Sequence, residues 1–206
     1  LEIDGRPQPF TTYKITESVD TKSMLDAARA EIPALTQAGV TLCWVPVFIG
    51  WEGPGVYDFT DLDLRVQTVL DLYDRHTPAG AAPAHVAIRL QAACFSPAWY
   101  VEQQRTRGGA PTHAIEWRNS WATVSACPPG AASRLRTATA YPDGSAYGVS
   151  LGDPFWETHA VDMLTAVVRH VQAAPYAHRV FGWLPCALNT NEWFLRTFTP
   201  GATCDF

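Results

Sequence analysis

Lysine is scarce in this chain: Lys14 and Lys22 are the only two, the arginines are scattered, and the formal net charge is −5. No basic stripe exists to neutralise a phosphate backbone or an anionic bilayer, so neither nucleic acid nor membrane is an expected partner. No apolar run approaches the ~20 residues of a membrane-spanning helix, and the first residues lack the basic-then-apolar order of a secretory leader. Cysteine is sparse and follows no pairing pattern. Cys43, Cys94, Cys127, Cys186 and Cys204 form no CxxC and have no paired histidine spacing, so neither a zinc knuckle nor a dense disulfide framework is signalled and the compartment stays open. Cys43 and Cys186 read instead as small core hydrophobes. The Gly-x-Gly-x-x-Gly fingerprint of dinucleotide folds is absent after the first predicted strand. No metal and no cofactor is expected.

What is present suits a buried core. Apolar residues make up 47% of the chain and charged ones 17%, the balance of a globular domain or part of one. Asp4-Gly5 marks a turn, and Phe10 to Ile15 reads as a short first strand. Met24, Leu25, Ala28, Ile32 and Leu35 recur at helical spacing over 21–37, with Asp20 or Thr21 as cap and Gly39 at the close. Pro33 weighs against the last turn. Val40 to Ile49 is an apolar run without alternation, as expected of a strand covered on both faces. Trp51 to Asp63 follows as an aromatic, glycine-rich loop, in which Thr60 and Asp63 match a capping box opening a helix over 64–73.

His85 to Leu90 reads as the third strand, and Ser96-Pro97-Ala98-Trp99-Tyr100 follows it. The stretch 101–151 is long for a loop and reads as an insertion after strand three, a lid or binding loop holding Trp117 and Trp121. A helix over 154–172, with Asp153 as cap, leads to a fourth strand over 180–188. Strand and helix alternate without hairpin signals, which predicts a parallel α/β sheet. With the dinucleotide fingerprint missing, a partial (β/α)8 TIM barrel of about four βα units is the expected fold, with its site at the C-terminal ends of the strands.

The organising stretch runs from Phe181 to Phe194, an apolar strand that ends in Asn191-Glu192-Trp193. Taken alone, Asn-Glu-Trp is compatible with an ordinary loop carboxylate. The tryptophans give it context. Trp51, Trp99 and Trp193 follow strands two, three and four, and Trp117, Trp121 and Trp156 lie in or beside the insertion, so six of the eight map near one face. Trp44 and Trp183 fall inside strands and read as core. Flat indole faces match the CH-rich face of a pyranose, so a carbohydrate is the expected ligand.

Trp51-Glu52 with Gly55-Val56-Tyr57-Asp58-Phe59 and Leu62-Asp63, then Ser96-Pro97-Ala98-Trp99, then Gly182-Trp183 leading to Asn191-Glu192-Trp193, resembles the N-terminal half of clan A glycoside hydrolases. The resemblance is to the β-galactosidase-like proteins around glycoside hydrolase family 42. It implies a retaining β-glycosidase barrel in which Glu192 is the acid/base and protonates the departing glycosidic oxygen. Asn191 would bind the sugar 2-hydroxyl, while Trp193 and Phe194 would exclude water and raise the acid's pKa. Trp51 and Trp99 would contact the sugar. Arg89, late in strand three, would bind a sugar hydroxyl, orient a carboxylate, or serve an internal ion pair.

Departures are specific. More residues separate Gly182-Trp183 from Glu192 than in family 42, the Arg-Arg-His stretch of that family is replaced by 147–153, and its zinc cysteines are missing. A whole barrel needs ~250 residues, and a retaining mechanism needs a second carboxyl group ~5 Å from the first. Glu52, Asp58 and Glu102 have no motif behind them, and Asp58 reads as a turn residue. The expectation is therefore that residues 1–206 are the N-terminal part of a single barrel domain whose nucleophile lies in a missing C-terminal half. The chain begins at Leu1, so its true start is also expected elsewhere. Two alternatives stand beside this: a catalytically idle carbohydrate-binding relative, and a structural half-barrel that forms a homo-oligomer.

Overall fold

A computed structural model describes residues 2–3, 5–7, 11–16, 20–91, 97, 99–100, 103 and 154–186. Asn191, Glu192 and Trp193, the insertion tryptophans Trp117 and Trp121, and the Asp153 cap lie outside the described residues. Along the chain come β1 (Glu2–Ile3), β2 (Arg6–Pro7), β3 (Thr12–Lys14), α1 (Thr21–Gln37), β4 (Leu42–Val47), β5 (Gly50–Gly53), β6 (Val56–Asp58), α2 (Thr60–His76), β7 (His85–Gln91), α3 (Pro154–Ala173), a 3-10 turn (Ala177–Arg179) and β8 (Val180–Cys186). The fold is mixed α/β around a four-stranded parallel sheet in the order β3-β4-β7-β8. That order follows the chain without reversal.

Helix α1 shows how local chemistry sets limits. Asp20 accepts from the Ser23 amide at 2.8 Å and satisfies one of the orphan donors at the helix start. At the other end Gly39, with φ +72°, takes the left-handed position. There its amide reaches Thr36 O at 3.1 Å and the Val40 amide reaches Leu35 O at 2.9 Å, the paired bonds of a Schellman stop. Met24, Leu25, Ala28 and Ile32 form the buried stripe. Pro33 is carried inside the helix. The carbonyl it leaves unbonded belongs to Arg29, an exposed residue that solvent reaches.

Helix α2 opens at Thr60, four residues before the predicted start, and the predicted capping box does not form. Its N-cap position is Phe59. Asp58 Oδ1 instead accepts from the Thr60 amide at 2.8 Å, so the turn role read for Asp58 holds. The Asp63 carboxylate is free for other partners because the first turn is capped from outside the helix.

Strand register decides which face each residue serves. Tyr13 pairs with Cys43 and Cys43 with Val86, while Lys14 pairs with Trp44, and Pro46 with Arg89. Cys43 meets Tyr73 of α2 and Tyr13 meets Glu31 of α1, so this row of residues looks toward the helices. By strand alternation Trp44, Pro46, His85, Ala87 and Arg89 look the other way. Helix α1 packs along α2, and α2 meets the end of α3 where Asp63 bonds His170 at 2.9 Å. Helices α1 and α2 therefore lie on one side of the sheet, and the last turns of α3 join α2 through His170. Burial pushes the Cys43 thiol up to about 12, which makes it an inert core group as its position in an apolar run suggests.

Arg179 aligns the starts of neighbouring strands. Its Nε donates to Ala84 O, the residue before β7, at 2.6 Å, and its two terminal nitrogens bind Asp74 at 3.1 and 3.0 Å. Because Arg179 immediately precedes β8, the two strands begin side by side.

Two features depart from the reading of the sequence. Short antiparallel and hairpin pairings are present: β1 pairs antiparallel with β2, and β5 with β6 across Pro54-Gly55. Gly55 sits at φ +75° behind a proline, the requirement of a type II turn. Local turn chemistry thus won over the strand-helix alternation. Trp44, expected as core, is only half-buried because it lies on the sheet face turned away from α1 and α2, and Trp183, also expected as core, is half-buried too. Trp44 meets Phe181 edge-on at 6.1 Å.

The chain divides into two compact units. The first comprises Leu1–Gly50, Asp58–Leu90 and Val167–Pro185, and holds the sheet and helix layer. The second includes Trp51–Tyr57 and the described residues between Gln91 and Ala166. Among the described residues no helix is long and apolar enough to cross a membrane.

Gly50 seats the base of the hairpin. A Cβ there would lie 2.9 Å from Asp58 Cβ, an atom with no rotamer through which to escape. Gly50→Ala is expected to cost about 1–3 kcal/mol, the usual range for forced overpacking. Urea denaturation of the two proteins checks this, and equal midpoints would show that the hairpin base is loose.

Candidate functional site: an aromatic cluster and a polar clasp

The second unit is built around aromatic rings. Trp51 on β5 lies 5.2 Å from Trp99 and 5.1 Å from Trp156, ring centre to ring centre, with Tyr57 of β6 at 6.1 Å. Trp99 in turn meets Tyr100 at 5.9 Å, Phe155 at 6.1 Å and His159 at 5.4 Å. Interplanar angles run from 45° to 88° in these contacts, the tilted and edge-on geometry that aromatic quadrupoles favour.

Local sequence puts these rings in place. The turn at Pro54-Gly55 folds β6 back on β5 and brings Tyr57 beside Trp51. The Tyr100 amide closes onto Pro97 O at 3.0 Å, which orients Trp99 and Tyr100 just after the turn. Phe155 and His159 are one helical turn apart on α3 and therefore share a face, with their rings at 4.5 Å.

The rings differ in exposure, and this separates floor from surface. Tyr100 is 0% and Trp156 3% exposed, so both are packed foundation. Trp156, which the sequence groups with the rings near the open face, belongs to this core. Trp51, Trp99, Phe155, Tyr57 and His159 are half-buried. Trp51 Nε1 donates to Gly53 O at 3.1 Å, which holds its indole in the hairpin. Trp99 Nε1 is buried and meets no acceptor among the described residues. Burial raises the Tyr57 hydroxyl above its ordinary value, with Asp162 adding to the shift. The Tyr57 ring thus stays a neutral donor at physiological pH.

Of the residues singled out from the sequence, Trp51 and Trp99 are brought together. Arg89 stands in the first unit, 6% exposed, on the sheet face turned away from the helices and in register with Pro46. Glu52 follows Trp51 on β5 and is exposed.

Sequence reasoning missed a second polar centre in the first unit. Both oxygens of Asp63 lie 2.9 Å from His170 Nε2, and Tyr176 OH donates to Asp63 Oδ1. Phe59 stacks on the His170 ring at 4.3 Å and 23°. Asp63, His170 and Tyr176 border a cleft of about 530 Å³ lined also by Leu64, Gln67, Ala173, Ala174 and Pro175. Asp63 and His170 are 107 residues apart, so no local spacing advertised them. Also missed was Arg65, 0% exposed, whose ion pair with Asp61 at 2.7 Å spans one helical turn. That pair had a legible signal, an Asp four residues before an Arg on one helix. Among the described residues no group of three or more metal-type ligands stands close enough to hold an ion.

No protein-family model matches the chain, and neither a curated protein nor a solved structure matches it.

The Asp63 clasp has a definite pH signature. Burial, and then the bond to the Asp63 carboxylate, raise the Tyr176 hydroxyl above its ordinary value. In the unfolded chain it ionises near ~10. Its stabilising share is therefore whole below that pH and is lost as the pH climbs beyond it. Tyr176→Phe is expected to lower stability at pH 7 by about 1 kcal/mol, the net worth of such a bond, and to flatten the alkaline arm of the stability curve. Urea midpoints measured from pH 7 to 11 check both; a parallel fall in the two proteins would show that Tyr176 plays no part.

Proposed function

We propose that the chain is part of a (β/α)8 barrel β-glycosidase, with a β-galactoside or related β-glycoside as substrate. The observation that carries this reading is the pairing of Trp51 with Trp99 at 5.2 Å, both half-buried, from loops that follow β4 and β7. Loops after parallel strands are where barrels build their sites. Two features of the fold support the barrel. The strand order β3-β4-β7-β8 never reverses, whereas a doubly wound sheet reverses at its switch point. Helices α1 and α2 also occupy one face, as a barrel requires.

In this reading the indoles of Trp51 and Trp99 offer the apolar face on which a pyranose ring stacks. Glu192 protonates the glycosidic oxygen as the bond breaks, and Asn191 binds the 2-hydroxyl, where contact strengthens in the transition state. Trp193 keeps water from the acid so that it holds its proton near neutral pH. A second carboxylate from the remaining half of the barrel attacks the anomeric carbon. Water then releases the sugar with Glu192 acting as base. Arg89, at the end of β7 on the helix-free face, orients a carboxylate or a sugar hydroxyl. No cofactor takes part.

A second reading is a catalytically idle carbohydrate-binding relative. It is favoured by the use of the described acids: Asp58, Asp61, Asp63 and Asp74 are each engaged in a structural bond.

The two readings separate on turnover. Saturable quenching of tryptophan emission by β-galactosides is expected in both, and Trp99→Ala should weaken it by up to about tenfold, the worth of one aromatic contact. Only the first reading expects the barrel carrying this chain to hydrolyse nitrophenyl β-glycosides. In that protein Glu192→Gln should lower turnover by ~10²–10⁴ while binding persists. Unchanged turnover removes Glu192 from the mechanism, and absent quenching removes the sugar.

A further inference from the structure

The cleft beside the Asp63 clasp is lined by residues of the first compact unit alone: one wall is the first two turns of α2, the other the last turn of α3 and the 174–176 stretch after it. Its volume of about 530 Å³ is that of a small-molecule site. Leu64, Ala173, Ala174 and Pro175 make much of the lining apolar. A leucine left 48% exposed is ordinary by itself. Here it stands in a cleft beside a carboxylate.

The polar groups of that lining are acceptors with capacity to spare. Asp63 receives one proton from His170 Nε2, 2.9 Å from both its oxygens, and one from the Tyr176 hydroxyl. A carboxylate has about four lone-pair sites, so acceptor capacity is left over. A neutral imidazole donates without adding charge, and the clasp then keeps the full negative charge of Asp63. Gln67, one turn on from Asp63 and therefore on the same helix face, donates its Nε2 to Asp71 Oδ1 at 2.8 Å, which leaves its carbonyl oxygen as acceptor.

The backbone adds charge of the same sign. Helix α3 runs for 20 residues and ends at Ala173, in the lining, so the negative end of its dipole falls there. Pro175 has no N–H with which to cap the last carbonyls. The basic residue of that last turn, His170, is already engaged by Asp63. Neither lysine nor arginine occurs among the described lining residues.

These features select a ligand class. An anion is repelled by the carboxylate and the helix end alike. A wholly apolar molecule would cover the acceptors without filling them, which is costly. A metal ion lacks a set of three ligands among the described residues. We propose that this cleft binds a small organic ammonium, a charged amine on a compact apolar body. Its N–H groups donate to Asp63 and to the Gln67 carbonyl beside the end of α3, and its body covers Leu64, Ala174 and Pro175. All of these residues lie in one unit, and nothing in the proposal depends on the carbohydrate reading.

The test titrates the full chain with 2-phenylethylammonium at about pH 8, where an ordinary imidazole is neutral and the amine still charged. The readout is the imidazole proton resonance of His170, assigned by its loss in His170→Gln. A saturable shift is expected, with 2-phenylethanol and 3-phenylpropionate at least about tenfold weaker, the worth of one hydrogen bond to a charged group. Gln67→Lys changes an exposed position and sets a cation one turn from Asp63, in place of the ligand's own; it is expected to weaken the amine by at least about tenfold, as is Asp63→Asn. No saturation, equal affinity for the three probes, or unchanged amine binding in a folded Gln67→Lys each overturns the proposal. Should either variant fail to fold, the three probes on the wild-type chain decide. Nα-acetyl-lysinamide is the last arm: binding as tight as that of the phenyl amine would make the occupant a lysine of a partner protein and overturn the small molecule.

Discussion

Everything in this fold follows from parallel pairing that advances in one direction. A parallel strand cannot be reached by a tight turn, so each step from β3 to β4, β7 and β8 requires a crossover, and each crossover is right-handed. Because the order never reverses, every crossover lands on the same side. One face of the sheet is consequently covered by α1 and α2, which Tyr13 and Cys43 meet through Glu31 and Tyr73. The other carries Trp44, His85 and Arg89.

The helix layer is held by apolar stripes but registered by polar fasteners. Area burial is non-directional and would tolerate sliding of α3 along α2. Asp63 gripping His170 and Tyr176, and Arg179 gripping Asp74 and the Ala84 carbonyl, remove that freedom at two heights. Arg65 does the same between α1, α2 and the exit of β4. The exposed pairs on α1, Lys22 and Arg29 with Asp26, are solvated and contribute little by comparison. Carboxylates thus divide sharply between decoration and registration, and sequence alone assigns the same letter to both.

The aromatic cluster illustrates a related division. Trp51, Trp99 and Trp156 look equivalent along the chain, each beside a loop. Packing makes Trp156 a foundation and leaves Trp51 and Trp99 partly open. Only the open pair can offer an indole to a ligand, and this distinction depends on which neighbours close over each ring.

The sequence by itself determined what short-range forces control. The limits of α1 were readable because a cap acts over three residues and a Schellman stop over five; β7 and α3 were readable because their apolar runs and periodicity are local. The start of α2 was misplaced because Asp58, two residues before the motif, accepts from the Thr60 amide that a capping box would give to Asp63. Tertiary structure alone decided that Asp63 serves a histidine 107 residues away, that Arg65 closes on the β4 exit, and that Trp51 meets Trp99. These contacts are selected by desolvation and shape between segments brought together only by the sheet, and neither quantity leaves a periodic trace along the chain.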